Sequence, residues 1–139
     1  MKNPHRAYTA VVFALLFGLA SCAAPHKETK APSISSEDAW KLMQSDTSVV
    51  VIDVRTKDEY YGESGHLEGA LLIPVQGLEL RLEPLQMFKS RKLLVYCRTQ
   101  NRSSIAADTL AAHGFDATFI RGGITQWSKE GLPVVKEPQ

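Results

Sequence analysis

The sequence predicts an α/β domain, a mainly parallel sheet with helices on both faces, and three observations predict it. Val49 to Val54 (VVVIDV) is a continuous run rich in β-branched residues, the pattern of a strand buried on both sides. Ala70 to Ile73, Lys92 to Cys97 and Ala117 to Ile120 are further short apolar runs, and they alternate with segments of helical spacing, as parallel sheets require. Neither an internal repeat nor a low-complexity block interrupts that alternation.

The elements follow in order. Ser35, with Asp38 three residues on, caps a helix that runs through Gln44, and Ala39, Trp40, Leu42 and Met43 give it a packing face. The run at Val49 to Val54 is the first strand, and Ala70 to Ile73, stopped by Pro74, is the second. Between Gly77 and Phe88, Leu78, Leu82 and Leu85 fall at helical spacing, with a break expected at Pro84. Lys92 to Cys97 is the third strand. Asn101 to His113 is an Ala-rich helix stopped by Gly114, where His113 meets the carbonyl end. Ala117 to Ile120 returns to the sheet, and Gly122-Gly123 turns tightly into a short helix around Trp127. Trp40 and Trp127 are expected in the core. Asp53 and Arg55, at the end of the first strand, read as a buried charge pair that holds loops together.

Composition narrows the function. The chain has 139 residues, 44% hydrophobic and 22% charged, as in globular rather than disordered proteins. Sixteen Lys and Arg against fifteen Asp and Glu give a formal charge of +1. A broad nucleic-acid-binding surface is therefore not expected. With only Cys22 and Cys97, a disulfide scaffold and a structural zinc site are excluded. His66, between two turn glycines, has no second ligand at metal-binding spacing and is expected to make a turn-stabilising hydrogen bond.

Ahead of the domain, Lys2 and Arg6 precede the apolar run Ala7 to Leu19, which is 13 residues long. A bilayer needs about 20 helical residues, so the run reads as a signal peptide rather than a membrane span. Leu19-Ala20-Ser21-Cys22 resembles the lipobox of bacterial lipoproteins, which implies cleavage before Cys22 and lipid on that cysteine. Residues 1–21 are then the signal peptide, residues 22–33, which carry Pro25 and Pro32, a flexible tether, and residues 34–136 the folded domain. Loss of Lys2 and Arg6 changes the formal charge to −1. The resemblance implies an extracytoplasmic domain held by lipid on the periplasmic side of a bacterial membrane, and Ala23 rather than Asp after the cysteine favours the outer membrane. The same residues also suit a buried N-terminal helix with an incidental cysteine.

Cys97 ends a buried strand and precedes Arg98-Thr99-Gln100-Asn101-Arg102-Ser103, after which a helix begins. Ligands bind at the carboxyl ends of strands in open α/β sheets. The N-terminal amides and dipole of the following helix face back toward the sulfur, and Arg98 and Arg102 add cations, all of which favour thiolate over thiol. The competing reading is a buried, inert cysteine.

Cys97 to Arg102 resembles the six-residue active loop of the rhodanese family. Asp53-Val54-Arg55 with Glu59-Tyr60, Gly65 to Ala70 with Ile73-Pro74, and Gly122-Gly123 through Trp127 with Gly131-Leu132-Pro133-Val134 resemble its other motifs, so that the likeness runs from about Ile34 to Val134. The resemblance implies a rhodanese-like domain with a five-stranded sheet, acting as a thiosulfate sulfurtransferase without a cofactor. Cys97 would attack the sulfane sulfur of a small sulfur-containing anion such as thiosulfate and carry it as a persulfide to a thiol or cyanide acceptor. Arg98, Thr99, Gln100, Asn101, Arg102 and Ser103 would bind the substrate, the loop amides around the persulfide and the arginines on the sulfonate oxygens, with a solvent-facing role as the alternative for either arginine alone. Many loops of the family carry Gly at the fourth position, where this chain has Gln100, a side chain expected to strain the loop or narrow its mouth.

Three rivals share parts of the pattern. A phosphatase of related fold has a loop one residue longer that ends in Arg six positions after the cysteine, where this chain has Ser103. A thiol-disulfide oxidoreductase would want a resolving cysteine in Arg98-Thr99-Gln100, which has none. A membrane-anchored sulfur carrier, or a sensor or docking module without turnover, is of another class and keeps Cys97 as well.

Overall fold

The computed structural model describes residues 30–136. The expected signal peptide, the lipidation site Cys22 and the tether through residue 29 lie outside the described residues. Five parallel strands form one sheet: β1 (Ser33–Ile34), β2 (Val50–Asp53), β3 (Leu71–Leu72), β4 (Lys92–Tyr96) and β5 (Asp116–Ile120), in the order β1-β5-β4-β2-β3. All four residues of β2 and the last four of β4 are buried, as a central parallel strand covered on both faces requires.

Alternation along β4 divides the core. Leu93 and Val95 face α4 (Asn101–Ala112) and pack with Ala106, Ala107, Leu110, Leu78 and Leu85. Leu94 and Tyr96 face the other way, toward α1 (Ser36–Ser45) and α5 (Gly123–Lys129), against Ala39, Ile124 and Trp127. The indole N–H of Trp127 donates to the Pro133 carbonyl at 2.9 Å, and its ring meets Trp40 edge-on at 6.0 Å. By the same alternation Cys97, one residue beyond β4, lies on the α4 side and belongs to that core.

Three elements differ from the sequence reading. Residues 30–33, expected as the end of a tether, are docked: the Lys30 and Ala31 N–H groups donate to the Asp108 carboxylate at 2.8 and 2.7 Å, and Ser33–Ile34 pairs with Phe119 and Ile120 as an edge strand. A two-residue strand has too little pattern to read, and a carboxylate from α4 holds it in place. The segment expected as one broken helix is a chain of single turns, 3-10 at Val75–Gly77 and Glu79–Arg81, α3 at Leu82–Leu85 and 3-10 again at Gln86–Phe88. Pro84 is tolerated inside α3 because it sits in the first turn, where the missing N–H has no helical acceptor to lose. Finally, α2 (Lys57–Tyr60) was not expected. It is one turn long and held by a capping box, in which Thr56 accepts from the Glu59 N–H at 3.3 Å and Glu59 accepts from the Thr56 N–H at 3.1 Å.

Candidate active site

The site lies at the carboxyl ends of β2 and β4, where the sheet hands over to α2 and α4. Cys97 is 1% exposed, its thiol directed at the Ser103 hydroxyl with Sγ to Oγ at 3.4 Å. Ser103, also buried, donates its own proton to the Gln100 carbonyl at 3.1 Å. That carbonyl accepts the Ser104 N–H at 2.9 Å as well, so it keeps a partner when the hydroxyl turns to the sulfur. Between Cys97 and Ser104, the backbone N–H groups of residues 98–103 find no acceptor among the described residues, and no side chain caps α4. Uncapped first-turn amides and the positive end of a 12-residue helix make an anion-binding loop around the sulfur.

The loop is braced from α5. The Ile124 and Thr125 N–H groups donate to the carbonyls of Cys97 and Arg98 at 2.9 and 3.1 Å. This contact demands glycine at 123, because φ there is +56° and a Cβ would stand 2.3 Å from the carbonyl oxygens of both Cys97 and Thr99. Gly123→Ala is therefore expected to displace the loop, and a shift near 1 Å would slow any reaction of the Cys97 thiol that depends on the loop by about 100-fold. The rate of Cys97 modification by a thiol reagent, followed by mass, checks it; a wild-type rate in a folded Gly123→Ala variant would contradict this bracing role.

Gln100 does not strain the loop. Its φ of −156° lies outside the left-handed region that favours glycine, and its side-chain oxygen accepts the Gly122 N–H at 3.4 Å, tying the loop to the turn that opens α5.

The two loop arginines part company. Arg102, expected on the donor's oxygens, spans Glu59 instead, with Nη1 and Nη2 at 2.6 and 2.7 Å from the two carboxylate oxygens. The Arg102 fork holds the Glu59 carboxyl down to about 2, against its ordinary 4.5. A depressed carboxyl stabilises the fold above its unfolded value and gives that up as pH falls from about 4.5 toward 2, so α2 and the loop stay clamped through mildly acidic conditions. Arg98 is exposed and makes no side-chain hydrogen bond or ion pair among the described residues. Glu59 is the site residue that the sequence reading placed only within a motif; Thr56-x-x-Glu59, a capping-box spacing, was the signal for its position.

Beneath the loop lies the expected charge pair. Arg55 Nη2 is 2.7 Å from Asp53 Oδ2, Nε is 3.0 Å from both carboxylate oxygens, and the remaining donors reach Ser64 Oγ at 2.8 Å and the Gly65 carbonyl at 2.7 Å. Burial works to lower the Arg55 guanidinium and the Asp53 carboxylate more than offsets it, leaving a net rise. His66 places Nδ1 3.0 Å from the Leu67 carbonyl and stacks on Tyr60 at 3.9 Å. Burial, then the Asp53 charge, pushes the Tyr96 phenol up, so it stays neutral while accepting the Leu67 N–H at 3.1 Å.

The chain is similar to known proteins in sequence and fold. Residues 35–130 match the family described as Rhodanese-like domain. A protein of Allochromatium vinosum named sulfurtransferase is 31% identical over 103 residues, covering 73% of this chain and 92% of that protein. The crystal structure of a rhodanese-related protein from Thermoplasma volcanium superposes with a TM-score of 0.69 at 30% identity, covering 76% of this chain and 99% of the other. A Rhodopseudomonas palustris protein of unknown function, described as a possible tyrosine phosphatase, gives 0.70 at 26% identity, covering 76% and 85%. With the matched residues taking in four of the five strands, the cysteine loop and the helices from α1 to α5, the chain belongs to the rhodanese-like domain family.

Proposed function

We propose that the chain is a sulfurtransferase that moves sulfane sulfur from a donor such as thiosulfate to a thiol or cyanide acceptor through a persulfide on Cys97. One observation carries the reading: a buried thiol at the base of six successive backbone N–H groups that have no acceptor among the described residues. Such a cradle suits an anionic persulfide held on Cys97. Cys97 thiolate attacks the outer sulfur of thiosulfate, a new S–S bond forms, the old one breaks, and sulfite leaves with its electron pair. The acceptor thiolate then attacks the outer sulfur of the persulfide and Cys97 leaves as thiolate. Ser103 serves both states, accepting from the thiol as it does here and donating to the thiolate after rotation.

The Glu59 pairing weighs against phosphate-ester chemistry, since the arginine that would hold a phosphoryl group is already occupied at both nitrogens. Intact mass measurement of the full chain in detergent, before and after thiosulfate, tests the proposal. The expected result is a gain of about 32 Da that cyanide removes. No gain, with a phosphate ester hydrolysed instead, would move the site to the phosphatase reading, and neither reaction would leave a docking or sensor module.

The membrane attachment rests on the lipobox-like Leu19-Ala20-Ser21-Cys22. In a bacterial host, Cys22→Ser is expected to shift the protein from the membrane fraction to the soluble one, and a membrane-bound Cys22→Ser chain would refute the anchor.

A further inference from the structure

A cleft of about 800 Å³ borders the cysteine loop, and Asp58, Glu63, Arg98, Thr125, Leu132 and Lys136 are among the residues that line it. Its α5 wall is bonded directly to the loop, through the Thr125 N–H on the Arg98 carbonyl. Clefts of roughly 300–1,000 Å³ accommodate organic ligands, whereas cyanide or thiosulfate would fill a small part of this one. The charges are unusual for their lack of mutual pairing. Arg55 and Glu59, which also line the cleft, are committed to Asp53 and Arg102. Asp58, Glu63, Arg98 and Lys136 make no side-chain hydrogen bond or ion pair among the described residues, which leaves two charges of each sign facing one space.

We propose that this cleft receives the sulfur acceptor as a zwitterionic thiol, a free amino-acid thiol whose carboxylate meets Arg98 and Lys136 and whose ammonium meets Asp58 and Glu63. The inference rests on the persulfide reading and deepens it. Only a ligand with both charges answers both pairs of side chains; a small anion leaves Asp58 and Glu63 unmet, and an uncharged thiol uses none of the four. Leu132 and the methylenes of Lys136 supply apolar contact for the carbon frame. In the transfer itself the bound thiolate takes the outer sulfur of the Cys97 persulfide and leaves as a hydrodisulfide anion, while Cys97 regains its electron pair.

The test compares L-cysteine with N-acetyl-L-cysteinamide, the same thiol without either charge, as acceptors from thiosulfate-loaded full chain. Wild type is expected to prefer cysteine. In Glu63→Gln and in Lys136→Gln the preference is expected to fall by about threefold each, the effect of one exposed ion pair. Expressed as variant against wild type, that ratio cancels the differing reactivity of the two thiols. Glu63→Lys provides a second reading and should reverse the preference toward 3-mercaptopropionate, which keeps only the carboxylate. Loading is followed by mass in the same samples. A chain that loads sulfur but shows an unaltered preference in all three variants overturns the inference and leaves the persulfide intact; a wild-type chain that never loads overturns both. Equal rates for cysteine and its amide in wild type would instead point to a cysteine within a polypeptide as acceptor and would also overturn it.

Discussion

Cys97→Ser is expected to abolish sulfur loading, a fall of about 10⁴-fold or more, the scale seen when a covalent nucleophile is removed. An S–S bond cannot form on oxygen, and a serine hydroxyl is almost wholly protonated at neutral pH, so the amide cradle has no anion to organise. The fold should tolerate the change. Cys97 packs in the core on the α4 side, but an oxygen in place of Sγ keeps a hydrogen-bond partner in Ser103 Oγ, and the loss of stability should stay within about 1–2 kcal/mol. The measurement is best made in a Cys22→Ser chain, where Cys97 is the remaining thiol, with intact mass reading the sulfur and circular dichroism reading the fold. A folded Cys97→Ser chain that still gained about 32 Da would place the nucleophile elsewhere.

The site was legible in the sequence wherever the signal was local. A cysteine closing a buried apolar run, followed by a polar loop and an Ala-rich helix stopped by Gly114, fixes the strand-loop-helix unit by period and punctuation alone. Ser35 capping α1 through Asp38 was equally local, and the structure shows the Asp38 N–H on Ser35 Oγ at 3.1 Å. What escaped was contact across the chain. The resemblance of the loop puts Arg102 on the donor or in solvent, whereas its partner Glu59 is 43 residues away. Analogy with glycine loops has Gln100 straining the loop or narrowing its mouth, whereas its φ is not left-handed and its side chain takes the Gly122 N–H, 22 residues on. The edge strand at Ser33 depends on Asp108 and Phe119 in the same way. The cleft charges carry no sequence pattern at all, since α2, the active loop and the chain end near Lys136 meet only in the folded state.

Removing one half of the Asp53–Arg55 pair is expected to have the largest effect on stability. Arg55 and Asp53 are 1% and 0% exposed, so Asp53→Leu strands a guanidinium where water cannot reach it, a loss of about 3–5 kcal/mol against a total of about 5–15 for a domain. Two consequences follow from what else Arg55 holds. It donates to Ser64 Oγ and to the Gly65 carbonyl, and Gly65 sits so close to Val135 that a Cβ would stand 2.3 Å from its carbonyl oxygen. A displaced Arg55 therefore loosens the turn beside Glu63 and the closing segment that carries Lys136, and with them the wall of the cleft. Replacing both members, Asp53→Leu with Arg55→Met, removes the buried charge altogether and should restore much of the stability, because a paired charge in the interior contributes little beyond what an apolar pair of similar size supplies. Urea denaturation of the two single variants and the double variant separates these terms. A single variant that lost under about 1 kcal/mol would show that the guanidinium finds solvent or another acceptor, and the pair would then be a register device for the turn rather than a support of the fold.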